Sequence, residues 1–159
     1  NGGKIVVNEG KTNQKILVSA CLYGKCTRYD GKCSPITHPS FESLKQRGLL
    51  VPVCPEVLGG LSTPRIPSEI KDGEVINRLG DVVTKQFVRG ARCALQTALQ
   101  NGIKTAILKD NSPSCGSTHI YDGSFSGRKI RGEGVFAKML RENGITVLTE
   151  NDTDKLCGL

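Results

Sequence analysis

Four short apolar runs punctuate the chain: KILVSA at 15–20, LLVPV at 49–53, TAIL at 105–108 and ITVLT at 145–149. None alternates apolar with polar residues, so each predicts a strand covered on both faces. Helical patterns lie between them. The first spans Pro39 to Arg47: Thr37 or His38 precedes it, Pro39 suits the first turn, and Gly48 stops it. In the second, Val83, Phe87, Ala91, Ala94, Leu95 and Ala98 recur at helical spacing, with Asp81 as the expected cap and Gly102 as the stop after Asn101. The third runs from Val135 to Asn143, with Phe136, Met139 and Leu140 inward and Gly144 beyond.

The resulting order, β-α-β-α-β-α-β, predicts an α/β fold. We expect a single Rossmann-like domain: a parallel sheet of about four strands, right-handed crossovers, helices on both faces, and long loops at the strand carboxyl ends. Residues 54–80 and 109–134 are too long for plain connections, so they are expected to be functional or to carry small structure of their own. Within the second, IYDGSFSGRKI reads as a hairpin or an extended flap, with Asp122-Gly123 as a turn signal. Residues 15–159 form the expected domain. Residues 1–14, polar and Gly-rich, read as a disordered tail or a cloning remnant.

The length of 159 residues allows a core that needs no staples. No secretory leader or membrane-length apolar run is visible, which predicts a cytoplasmic chain with reduced thiols. Its seven cysteines then point to metal binding or catalysis rather than to a disulfide framework. The net charge of +7 favours acidic partners, yet the basic residues are dispersed and Trp is absent. That composition argues against a nucleic-acid surface as the main function.

Position gives the cysteines meaning. Cys21 follows the first predicted strand, Cys54 the second, and Cys115 the third by a few residues. Ligands of an open parallel sheet sit beyond the carboxyl ends of its strands, so these three can converge although no CxxC pair is present. Pro52 and Pro55 bracket Cys54, while Pro113 and Gly116 bracket Cys115, holding the chain in fixed non-helical shapes. Three thiolates suit zinc with a fourth ligand, or an iron–sulfur cluster with one open iron. The plainer alternative is buried small hydrophobes, the reading preferred for Cys93 and Cys157. Cys26 and Cys33 are either spare thiols or neighbours of the cluster.

The segments VSACLYGKCTRYDG, VPVCPEVLGGLSTPR and SPSCGSTHIYDGSFSG, in this order, resemble the DUF523 family over about residues 15–150. The resemblance implies thiouracil desulfidase activity and a [4Fe–4S] cluster bound by Cys21, Cys54 and Cys115, with the fourth iron open. Such a cluster is expected to be lost easily in air. The resemblance also implies an acidic residue and a serine beside the cluster. These match Glu56 and Ser112, with Ser114 as the second choice for the serine. By the residues alone, the preferred readings are a surface or cap carboxylate for Glu56 and a turn residue for Ser112. The implied reaction replaces sulfur by oxygen in a thiolated nucleobase or nucleotide and releases hydrosulfide without net electron transfer. Glu56 would move protons and Ser112 would bind substrate or relay a proton.

Other readings stand beside it: a metal- or cluster-binding protein without catalysis, an accessory module for thiolated RNA, and a zinc hydrolase. Arg28, Tyr29 and Asp30 are pocket-lining or a charged turn. Arg65 is an anion contact, or a buttress paired with Glu69. The segment GRKIRGEG offers an anion site at a helix start but lacks a nucleotide fingerprint. His38 and His119 are read as structural or surface residues. Oligomeric state is not fixed by the sequence.

Overall fold

A computed structural model describes residues 13–156. Most of the 1–14 tail, and Cys157, lie outside the described residues. The elements in chain order are β1 (Ile16–Ser19), α1 (Ala20–Tyr23), α2 (Pro39–Gln46), β2 (Leu50–Val53), α3 (Pro55–Leu58), β3 (Ser68–Lys71) and β4 (Glu74–Asn77). They continue as α4 (Thr84–Gln100), β5 (Thr105–Leu108), β6 (His119–Tyr121), β7 (Lys129–Arg131), α5 (Val135–Glu142) and β8 (Thr146–Thr149), and a 3-10 turn at Thr153–Leu156 ends the described chain.

The four expected strands pair as one parallel sheet in the order β2-β1-β5-β8. Its central strands are buried on both faces, which is why KILVSA and TAIL read as continuous apolar runs. Leu17, Ala106 and Leu108 pack with α4 and α5 through Ala91, Ala94, Phe136 and Leu140. The opposite face is covered by Leu22, Phe41, Leu44 and Leu156. The long connections carry structure of their own: α3 and the β3–β4 hairpin in one, the β6–β7 hairpin in the other.

Several local expectations change. Asp81 does not cap α4, which starts at Thr84 after Val83. Its carboxylate instead receives a bond from Asn77 Nδ2, and its N–H donates to Asn77 Oδ1, closing the turn after β4. Cys93 is exposed rather than buried, because it faces away from the Ala91–Ala94–Ala98 stripe. Arg65 pairs with Glu56, not with Glu69. The Glu69 carboxylate instead accepts from the backbone N–H groups of Gly123 and Phe125.

One close approach sets the position of α3. A Cβ on Gly90 would lie 1.7 Å from the carbonyl oxygen of Pro55, and one on Gly59 would lie 2.0 Å from that of Gln86. The backbones of α3 and α4 therefore touch directly, which only glycine permits. This contact fixes the short segment that begins immediately after Cys54 and carries Glu56.

Candidate active site

The carboxyl ends of β1, β2 and β5 open on a cavity of about 390 Å³ lined by Cys21, Cys54, Cys115, Glu56, Ser112 and Ser114 among others. Two larger hollows, of about 590 and 560 Å³, hold none of the cysteines. All six residues predicted from the sequence thus face one space, although they come from three distant segments. Cys21 sits in α1 and is buried. Cys54 precedes α3 with extended backbone, and its thiol approaches the carbonyl of Thr27 at 3.9 Å. Cys115 is buried, with Ser114 Oγ 3.6 Å from its sulfur.

The Cys115 loop is held from both sides. Its base is tied by Lys109 N–H donating to Ser19 Oγ at 2.9 Å, and by Glu150, which accepts from Asp110 N–H at 2.8 Å and pairs with Lys109 Nζ at 2.6 Å. The Asp110 carboxylate gathers the backbone N–H groups of Ser117 and Thr118 and the Thr118 hydroxyl. Burial works to raise its pKa, but these donors outweigh burial and hold it below the ordinary value. The first turn of α5 donates to the loop as well: Val135 N–H to Pro113 O, and Phe136 and Ala137 N–H to Ser114 O. Those donors are consumed by protein carbonyls, and Glu133 beside them pairs with Arg141. The anion site expected at GRKIRGEG is therefore not formed.

Glu56 is anchored through both of its carboxylate oxygens. Its Oε1 accepts from Arg65 Nε at 2.9 Å, and its Oε2 from Ser114 Oγ at 2.9 Å. The Arg65 side chain is 8 % exposed and that of Glu56 12 %, so solvent screens this pair poorly. Arg65 Nη2 also donates to Thr27 O at 2.8 Å, which ties Glu56 to the loop after α1. Ser112 and Ser114 are joined Oγ to Oγ at 3.0 Å. Ser112 Oγ further accepts from the N–H groups of Ser114 and Cys115, each at 3.1 Å, and so shapes the turn that presents the thiol.

The sequence reading did not single out Asp110, Glu150 or the Glu56–Arg65 pair. Asp110 precedes a Ser/Pro/Gly turn, where an Asx cap is a recognisable signal. Glu150 acts across 40 residues and leaves no local trace; Arg65 pairs with Glu56, nine residues back, rather than with the nearer Glu69.

Arg28, Tyr29, Arg78, Tyr121 and Phe125 complete the wall. Asp30 pairs with Arg28 at 3.0 Å. His38 caps α2 by accepting from Ser40 N–H, and His119 bonds Thr118 Oγ1; neither lines the cavity.

Cys21 and Cys115 are protonated at neutral pH. Burial first, then the neighbouring Cys54, pushes Cys21 up to about 11, and burial pushes Cys115 higher still. A ligand that recruits them must supply positive charge to displace the protons. Among the described residues, no three His, Cys, Asp or Glu side chains are arranged to hold a single metal ion. Three soft sulfur donors spread around one cavity, with no histidine beside them, suit a polynuclear iron–sulfur group better than zinc.

Comparison with known proteins agrees. The chain is 40 % identical over 151 residues to the uncharacterised protein YbbK of Bacillus subtilis strain 168, covering 89 % of this chain and 99 % of YbbK. It superposes on the [4Fe–4S]-dependent thiouracil desulfidase TudS with a TM-score of 0.88 and 44 % identity, covering 91 % of this chain and 95 % of TudS. The 2-thiouracil desulfurase family profile matches residues 16–152, and the chain belongs to that family.

Proposed function

We propose that the protein is a [4Fe–4S]-dependent desulfidase that replaces sulfur by oxygen in a thiouracil-like base. The observation that carries this reading is the convergence of three strand-end thiols and an anchored carboxylate on one cavity. Family membership and the likeness to TudS support it.

On this reading Cys21, Cys54 and Cys115 hold the cluster. When bound, it supplies a Lewis-acidic iron that polarises the thiocarbonyl. Glu56 Oε2 takes a proton from the attacking water and returns it toward the departing sulfur. Arg65 fixes the carboxylate on its Oε1 side, leaving Oε2 directed at Ser114 and the cavity. Ser114 and Ser112 extend that hydrogen-bond chain by one further hydroxyl, a route for the proton. Atoms balance as thiocarbonyl plus water giving carbonyl plus hydrogen sulfide, with no electron transferred.

The hydrolytic nature is tested with protein reconstituted anaerobically with iron and sulfide and given 2-thiouracil in water enriched in heavy oxygen. Label in the uracil carbonyl, with one sulfide released per base, is the expected result. Unlabelled product, or turnover that demands an external reductant, would contradict it. A cluster protein without catalysis would take up iron and release nothing.

A further inference from the structure

Two cysteines stand outside the proposed cluster set and beside the cavity wall. Cys26 and Cys33 lie in the loop between α1 and α2, Cys26 exposed and Cys33 half-buried, both as free thiols. The loop folds back on itself between them. Gly31 N–H donates to Arg28 O at 2.9 Å and Arg28 N–H to Lys32 O at 3.3 Å, which brings the residues flanking that turn side by side. Arg28 reinforces the turn through Asp30 at 3.0 Å and Ser34 Oγ at 2.6 Å. The Cys33 thiol lies close enough to Cys26 to push the Cys26 pKa up.

We propose that Cys26 and Cys33 form a redox modification site: a dithiol that closes to an intramolecular disulfide on meeting a small-molecule disulfide. One thiolate of the pair attacks a sulfur of the small disulfide and expels one small thiol. The second protein thiolate attacks the mixed disulfide and expels the other. The pair loses two electrons and two protons, and the small disulfide is reduced to two thiols. The sulfurs must close to about 2 Å, and the turn that brings Cys26 and Cys33 together is already formed.

The consequence is local and specific. Thr27, next to Cys26, offers the carbonyl that accepts from Arg65 Nη2, and Arg28 and Tyr29 line the cavity. A closed bridge therefore pins the wall that holds Arg65. This holds independently of what the cavity binds.

The test uses the full chain, fully reduced, equilibrated anaerobically with graded ratios of oxidised to reduced glutathione, then quenched in acid and digested with trypsin. Peptides 26–28 and 33–45 are expected as a linked pair that has lost two hydrogens. The link should appear at a lower ratio than the glutathione adduct on exposed, isolated Cys93, since the second thiol acts at an effective concentration of about mM or more. In Cys33→Ser, Cys26 is expected to stop at the mixed glutathione adduct, with circular dichroism unchanged. Separate adducts on Cys26 and Cys33 in the unaltered chain, or free thiols at ratios that already modify Cys93, would overturn the proposal.

Discussion

At the scale of single residues, the two serines of SPSC divide the work. Ser114 Oγ donates to Glu56 Oε2, whereas Ser112 Oγ receives two backbone N–H groups of the turn. Ser114→Ala is therefore expected to lower kcat about tenfold, the equivalent of one hydrogen bond of roughly 1.4 kcal/mol, with iron content unchanged. Ser112→Ala should instead weaken iron retention, because the Cys115 turn loses its internal acceptor. Parallel iron assays and initial rates separate the two, and identical losses in both would refute the division. The thiols give a second residue-scale test. Cys21 titrates at about 11, so in the iron-free chain its alkylation should be slow at pH 8 and accelerate toward pH 11. Alkylation of Cys21 already at its full rate at pH 8 would show that burial does not hold its proton.

At the scale of elements, the four strands of the parallel sheet and the three main helices were legible because each declares itself locally, whereas the β3–β4 hairpin and the short α1 and α3 were not. The strand-end cysteines were legible for the same reason, since Cys21 and Cys54 immediately follow apolar runs. The start of α4 was misjudged because Asp81 satisfies Asn77 across a β-turn, a competing use of a good capping side chain. The α3–α4 contact was invisible, as nothing local marks Gly59 and Gly90 as partners. Gly90→Ala would force backbone apart where 1.7 Å is available, so a loss of about 1–3 kcal/mol or more is expected in denaturant unfolding, with displacement of Glu56. The Asp110 clamp carries a pH signature. Its folded pKa is depressed, so the unfolded chain takes the proton first as pH falls. The stabilisation is complete above the unfolded value of about 3.8 and is lost as pH drops from there through the folded value. Unfolding midpoints of the wild type and Asp110→Asn should converge over that acid range; a constant gap would contradict the clamp.

At the scale of the molecule, a sheet of four parallel strands gathers residues nearly a hundred positions apart onto one face. Cys21 and Cys115 meet there because β1 and β5 are neighbours, a pairing the topology supplies and no local motif encodes. What the sequence did not reveal was the second layer around them: Arg65 on Glu56, Glu150 on the base of the Cys115 loop, and Glu69 on the β6–β7 hairpin. The Glu150 and Glu69 contacts join residues 40 and 54 positions apart, and the Arg65–Glu56 pair, nine apart, follows no helical or strand period. Among the described residues no helix is long and apolar enough to cross a membrane.

In the proposed mechanism Cys21, Cys54 and Cys115 would hold the cluster and Glu56 would move the protons. The most direct measurement compares wild type and Glu56→Gln, both reconstituted anaerobically, for iron content and for sulfide released from 2-thiouracil. Equal iron in both, with turnover in the variant reduced about 10²–10⁴-fold, is the predicted result. A wild-type chain that takes up no iron, or a variant that releases sulfide as fast as the wild type, would contradict it.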